Sequence, residues 1–404
     1  METVIFKDSL VGAAELIRQG ELVAVPTETV YGLAGNALDE KAVHEIYRVK
    51  GRPEVKPLSV MIPGAEAMED CCDPVPEQAY ALARRFWPGP LTIVLKSKPS
   101  VPEIVRAGGD TLGLRCPDHP LTLKALRLAG VPFAAPSANP SGAPSPKTAQ
   151  EVARYFSGEI AGIIDGGACG IGRESTIIDM RAAPYKILRP GALPEEDIAD
   201  ALADHLRIIG ITGGTGCGKT TALKELEKRG ALIIDCDQVY HRLLDESREL
   251  LEEIGRYFPG AVTGGMLDRK ALGAVVFSNQ EALEDLNIIT HKHVHLAVRD
   301  LLRDWAMKGG TLAAIDAIEL ISSGIARRCG VTIGVIAEEE TRIRRIMERD
   351  SISREYALMR VKAQRPNAYF EQNCDFTVSN DSDREQFIAG FNGLIEEVLT
   401  KWTK

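Results

Sequence analysis

The chain is poor in aromatic residues, at 5% of its 404 positions, and it carries no excess of positive charge. Apolar residues nonetheless make up 45% and charged residues 26%, which is the balance of a globular chain and not of a disordered one. A net charge of −9 argues against a general polyanion-binding surface and leaves only local basic pockets open. No stretch reaches about 18 uninterrupted apolar residues, the length a membrane-spanning helix needs. The N-terminal METVIFKDSL also lacks a basic stretch followed by an apolar core. A cytoplasmic protein with no membrane partner is therefore expected. The eight cysteines show no C-x-x-C spacing, which removes the usual zinc and redox patterns and points to reduced thiols.

A length of 404 residues exceeds one ordinary core and suits two domains of about 200 residues each. The segment IIGITGGTGCGKTT, residues 208–221, sets the boundary, because it has the form of a strand, a glycine-rich turn and a helix start near mid-chain. Residues Gly213, Gly214, Thr215, Gly216, Cys217, Gly218, Lys219 and Thr220 fit G-x-x-x-x-G-K-[ST], with Thr221 following. In such a loop backbone N–H groups cradle phosphate, the lysine reaches the β/γ-phosphates and the hydroxyl of Thr220 is placed for Mg²⁺. A site for ATP with Mg²⁺ is expected there. Domains are accordingly placed at 1–205 and 206–404, joined by a short linker after the helical pattern EEDIADALADHL.

In the first domain a helical pattern over 8–19 precedes a buried strand at 21–25, which opens into PTETVYGL. An amphipathic pattern over 39–49 then ends at Gly51 and Pro53. Lys50, Arg52 and Lys56 put three cations on seven residues stiffened by two prolines, a composition that suits phosphate or a plain solvated loop. Further on, VPFAAPSANPSG ends an apolar run in small hydroxyl and amide residues that hydrogen-bond while leaving room for a ligand.

These segments, with TLGLRCP, STIID and LRPG in that order, resemble the YrdC family, the L-threonylcarbamoyl-AMP synthases. The resemblance implies a twisted mixed sheet in an α/β fold, and the substrates ATP, L-threonine and bicarbonate. The family's Lys/Arg and Ser/Asn signature falls on Lys50, Arg52, Ser137 and Asn139, with Lys50 and Arg52 as catalytic cations. ATP contacts fall on Arg52, Lys56, Thr111, Ser137, Asn139, Ser145 and Arg189. Threonine contacts fall on Thr29, Arg115, Ala135 and Ser175. Met61 stands where some members have histidine, and no chemical role is given to it.

In the second domain an apolar run ends in Asp235-Cys-Asp237, and carboxylates two apart on a strand share one face at the end where α/β sheets bind ligands. One would accept a substrate proton and the other hold Mg²⁺; a capping aspartate pair before the next helix is the alternative reading of the residues. Strands at 311–318, 331–337 and 375–379 complete a five-stranded parallel sheet. Residues 240–305 form a helical insertion, with His291, His293 and His295 inside it. Arg342, Arg344, Arg345 and Arg349 lie on one helix; Arg345 and Arg349 are expected to act as a lid on the phosphates.

This half is similar to dephospho-CoA kinase, on ITGGTGCGKTT, IIDCDQVYHRLL, LDRKALGAVVF, the Ile-Thr-His291 stretch, MERDSISREYALMRVKAQ and DFTVSND. The resemblance implies Asp237 as base with Lys219 as a catalytic cation, Asp235 with Thr220 on Mg²⁺, and Asp237, Arg269 and His291 at the dephospho-CoA. Two features depart from that family: Lys292 replaces the usual proline, and the usual DxPLL reads Asp316-Ala-Ile-Glu-Leu320. The joint expectation is a bifunctional enzyme whose first product passes to partner proteins of tRNA modification. A non-catalytic RNA- or nucleotide-binding first half, or a kinase for another small acceptor, is the alternative.

Overall fold

The computed structural model describes residues 2–7 and 9–402; Asp8, the expected start of the first helix, lies outside them. The chain divides into two compact units, residues 1–205 with 307–309, and residues 206–306 with 310–404.

The first unit is built on a ten-stranded mixed sheet. Its strands are β1 (Val4–Phe6), β2 (Val23–Val25), β3 (Gly32–Asn36), β4 (Ser59–Met61), β5 (Leu91–Lys96), β6 (Thr111–Arg115), β7 (Phe133–Ala134), β8 (Gly162–Ile164), β9 (Thr176–Asp179) and β10 (Lys186–Arg189). They lie in the order β1-β8-β2-β3-β7-β4-β6-β5-β9-β10. Helices over 11–18 and 120–129 bury Ala14, Ile17, Ala125 and Leu126 with Val23, Val25 and Phe133 in one apolar cluster. Truncating a fully buried side chain such as Phe133 would cost about 3–5 kcal/mol.

The helix Glu40–Lys50 shows how local chemistry aims the cationic segment. The Asp39 carboxylate caps it by accepting from the Lys41 N–H, and Ala42, Val43, Ile46 and Tyr47 form its buried face. Gly51 ends it in the left-handed region at φ 56°, where a side chain would be strained. This reversal leaves Lys50 buried on the last turn and carries Arg52 past the helix end.

The second unit has a five-stranded parallel sheet, as expected from the sequence. It contains β11 (Arg207–Thr212), β12 (Leu232–Asp235), β15 (Leu312–Asp316), β16 (Val331–Ile336) and β17 (Phe376–Ser379), in the order β12-β15-β11-β16-β17. The apolar run of β11 is central and buried, and it delivers the glycine-rich turn to the carboxyl end of the sheet. Between β12 and β15 lies an insertion of helices over 236–246, 248–257, 269–276 and 280–307 with its own core of Leu250, Ile254, Leu272, Val276 and Leu286. It is not wholly helical. A two-stranded hairpin, β13 (Val262–Thr263) and β14 (Met266–Leu267), turns on Gly264 and Gly265, both at positive φ as such a tight turn requires. Helices over 339–350 and 354–362 pack through Ile343, Ile346, Ala357 and Val361.

Candidate active sites

In the first unit, the carboxyl end of β6, the segment after β7 and the chain entering β9 converge on a cavity of about 250 Å³. Its wall includes Arg52, Arg115, Ala135, Ser137, Ser175 and Arg189, together with Met61, Thr92 and Glu174. Arg115 is 7% exposed; its guanidinium donates to Glu28 Oε1 and Thr29 Oγ1, each at 2.7 Å. Its Nε is buried without a partner. Arg189 donates to the Ser175 carbonyl at 2.8 Å and to Glu174 Oε2 at 2.6 Å. Ser175 and Thr92 share a hydroxyl contact of 2.8 Å. Two fixed guanidinium groups, a third from Arg52 and a row of hydroxyls make this a site for an anionic ligand.

The residues expected from the sequence divide into three groups. Arg52, Arg115, Ala135, Ser137, Ser175 and Arg189 line the cavity. Thr29 and Ser145 support it, through Arg115 and through a 3.1 Å bond to Glu174. Asn139 fastens its own loop by donating to the carbonyls of Pro140 and Ala143.

Three placements differ from expectation. Lys50 is not a wall cation: it is 3% exposed, and its ammonium donates to the carbonyls of Ser137 and Asn139, clamping the loop that carries them. Burial pushes its pKa down to about 8. Lys56 is exposed and meets Arg52 only through its carbonyl, which accepts from Nε at 3.4 Å. Thr111 opens β6 four residues before Arg115 and lies outside the wall, because the strand's length separates them. Met61 is buried against Gly32 and supplies an apolar patch.

In the second unit, the turn after β11 borders a pocket of about 430 Å³ lined by Gly214, Thr215, Gly216, Gly218, Lys219 and Thr220 with Asp237, Asp316, Arg345, Arg349 and Arg360. Lys219 Nζ folds back onto the Gly213 carbonyl at 3.1 Å and stands 3.7 Å from Asp316. A second cavity of about 200 Å³, lined by Tyr240, Asn287, Thr290, His291 and His295 among others, shares Asp237 and Ile318 with the first. Asp237 therefore stands where the two cavities meet.

The two aspartates of the Asp-Cys-Asp segment do not share a strand face. β12 ends at Asp235, which caps the next helix by accepting from Gln238 N at 3.0 Å and Gln238 Nε2 at 2.9 Å, and Asp237 sits in that helix's first turn. The capping alternative describes Asp235. The second acid of the pocket is Asp316, at the end of the neighbouring strand β15. Its Oδ1 is buried without a hydrogen-bond partner, and burial pushes its pKa up to about 6. Burial, with Asp235 nearby, also raises the pKa of Asp237.

Arg345 and Arg349 line the phosphate pocket, as a lid would. Arg342, on the same helix, is instead buried against the turn. Arg269 is exposed and paired with Asp245 at 2.8 Å, so it is not drawn into the acceptor cavity. His293 bonds Glu253 at 2.7 Å, on a different face of the helix from His291 and His295. Among the described residues no group of three or more His, Cys, Asp or Glu side chains is placed to hold a metal ion. Sequence reading did not single out Glu174, Gln364, Asn380 or Arg360. All lie in or beside quoted segments, but nothing in their type or spacing assigns them a partner.

Comparison with known proteins matches the chain in two parts. A family model covering Sua5, YciO and YrdC, described as "Telomere recombination", matches residues 15–191, and one described as "Dephospho-CoA kinase" matches residues 207–386. A Pyrococcus abyssi protein named threonylcarbamoyl-AMP synthase is 51% identical over 48% of this chain and 56% of its own length. A Mycobacterium tuberculosis protein whose name marks it as a candidate threonylcarbamoyl-AMP synthase is 36% identical over 48% of this chain and 88% of its own. A Thermus thermophilus dephospho-CoA kinase is 33% identical over 48% of this chain and 94% of its own. The chain spans about half the length of its Pyrococcus, Bacillus subtilis and Schizosaccharomyces pombe relatives.

Proposed function

The chain belongs to the threonylcarbamoyl-AMP synthase family over residues 15–191 and to the dephospho-CoA kinase family over residues 207–386, and from that premise we propose that it is a bifunctional enzyme. The observation that carries the proposal is the presence of two separate anion-binding sites, one in each unit, each next to groups suited to its own chemistry.

In the first site, threonine and bicarbonate give a carbamate and water. The carbamate oxygen attacks the α-phosphate of ATP, forming threonylcarbamoyl-AMP and releasing pyrophosphate. No protein nucleophile is needed; charge gathers on the phosphates, and Arg52 and Arg189 on the cavity wall stabilise it. Arg115, held by Glu28 and Thr29 on the cavity wall, takes the threonine carboxylate. Lys50 acts by holding Ser137 in place. The product is consumed by partner proteins that transfer the threonylcarbamoyl group to tRNA.

In the second site, the ribose 3′-hydroxyl of dephospho-CoA attacks the γ-phosphate of ATP. Asp237 accepts the hydroxyl proton, being the carboxylate common to both cavities, and burial raises its pKa and so its basicity. Lys219, Arg345 and Arg349 balance phosphate charge. The residues fit a divalent cation: Asp316 Oδ1, buried without a hydrogen-bond partner and 3.7 Å from Lys219 Nζ, would supply a hard ligand, and Thr220 lines the same pocket. Mg²⁺ held there with ATP would neutralise developing charge on the β- and γ-phosphates. Asp235, occupied as a helix cap, is not assigned to it. His291 lines the acceptor side.

The test offers the whole chain each acceptor separately. Pyrophosphate release should require threonine and bicarbonate together, and phosphate transfer should favour dephospho-CoA over nucleoside monophosphates and shikimate. Pyrophosphate release that ignores threonine, or preference for another acceptor, would refute the corresponding half.

A further inference from the structure

The phosphate-binding turn is held from outside itself, around Thr215. The N–H of Thr215 donates to Gln364 Oε1 at 2.8 Å, and its hydroxyl accepts from Gln364 Nε2 at 2.7 Å. Its carbonyl accepts from Arg342 Nε at 3.1 Å, and Arg342 closes the ring by donating to Gln364 Oε1 at 2.7 Å. Arg342 is 4% exposed, so its charge is stabilised by these acceptors and by little water. A Cβ at Gly214 would stand 2.2 Å from the Arg342 guanidinium, so that glycine is required for the guanidinium to approach. Arg342 lies on the first of the two helices that bring Arg345, Arg349 and Arg360 to the pocket, and Gln364 follows two residues after the end of the second.

Two consequences follow from this geometry. The Thr215 N–H is already committed to Gln364, so it is not among the amides free to bind phosphate. The turn and the arginine-bearing helices are tied at the point where the turn meets its ligand, so the shape of one fixes that of the other.

We propose that Gln364 is a positioning residue for phosphate transfer, which with Arg342 sets the phosphate-binding turn in its working shape and couples it to the arginines of the lid. The proposal rests on the kinase reading for its turnover measurement but not for its binding measurement. Gln364 touches Thr215 and Arg342, and it is not among the residues lining either cavity. Its loss should therefore appear in the use of ATP and not in the use of the acceptor.

The experiment compares Gln364→Leu, which removes both bonds to Thr215 at similar size, with Gln364→Glu in the full chain. Glutamate keeps acceptors for the Thr215 N–H and for Arg342 and can receive the hydroxyl proton of Thr215 in place of the lost donor. ATP binding is read by calorimetry without acceptor in full chains carrying Arg52→Ala in the first site, as the second-site component of the isotherm, and kinetic constants are read with dephospho-CoA. Gln364→Leu should weaken ATP binding and kcat/KM for ATP by about tenfold to a hundredfold, with KM for dephospho-CoA within about twofold, given three lost hydrogen bonds, two with Thr215 and one from Arg342. Gln364→Glu should recover to within about threefold. Unchanged ATP affinity in Gln364→Leu, equal loss toward both substrates, or a glutamate variant as impaired as the leucine one would overturn the proposal. If the wild-type chain binds ATP but does not phosphorylate dephospho-CoA, the kinase reading fails while the calorimetry still decides the role of Gln364.

Discussion

Replacing Lys50 with methionine separates two roles that a buried cation beside an ATP site can have. The ammonium donates to two carbonyls, of Ser137 and Asn139, and hydrogen bonds from a charged donor contribute about 1.5–3 kcal/mol each. Against this stands the cost of burying the charge: a pKa pushed down from 10.5 to about 8 corresponds to about 3 kcal/mol at neutral pH. The two nearly offset, so Lys50→Met should lose only about 0–3 kcal/mol at pH 7, a fall in melting midpoint of less than about 10 °C. Synthase activity should fall by about a hundredfold, because the loop bearing Ser137 loses its clamp. The sign of the pH dependence is also fixed. A folded pKa below the unfolded one means the burial cost is fully present below about pH 8 and is gone above 10.5, so wild type gains on the variant across that interval. Differential scanning calorimetry at pH 7 and pH 10, with pyrophosphate release at pH 7, reads all three quantities. A stability gap that does not widen at high pH, or activity within about threefold of wild type, would refute the reasoning.

Arg52→Ala should suppress pyrophosphate release on the order of a hundredfold while CoA formation stays intact, since a preorganised cation is lost at one site only; equal loss of both activities would contradict this. Asp237→Asn keeps shape but removes the base, so kcat for phosphate transfer should drop by roughly 10² to 10⁴ with ATP affinity within about twofold. Near-normal turnover in that variant, with loss in Asp235→Asn, would reverse the assignment. The kinase rate should fall as pH drops through about 6, where Asp316 gains a proton. Asp316→Asn should trade function for stability. A folded pKa above the unfolded value gives stability that is present below about pH 3.8 and lost as pH rises through 6, so removing the charge should raise the melting midpoint near pH 8 by a few degrees, with no gain at pH 4. A variant that melts lower than wild type at pH 8 would contradict the buried-charge account.

Much of the fold was legible because its signals are local. The apolar run of β11, the glycine turn and Lys219 sit within a dozen residues, and period and turn chemistry suffice to order them. Asp39 and Gly51 mark the ends of their helix in the same way. What sequence reading missed depends on contacts between distant residues. Nothing in Lys50-Gly-Arg52 says that the lysine turns to carbonyls 87 and 89 residues away while the arginine reaches a cavity. Asp235 and Asp237 share a face only if the strand continues, and the cap formed by Asp235 ends it two residues too early. Gln364 meets Thr215 across 149 residues. The Gly264-Gly265 hairpin was a local signal that the helical periodicity around it outweighed.

The central claim is that one chain holds two independent ATP-dependent sites. A single incubation of the full chain with ATP, threonine, bicarbonate and dephospho-CoA, with products resolved by mass, tests it most directly. Wild type should yield threonylcarbamoyl-AMP with pyrophosphate and CoA with ADP; Lys219→Ala should lose only the second pair, and Arg52→Ala only the first. Wild-type chain that makes neither pair or only one, or a single substitution that abolishes both, would contradict it.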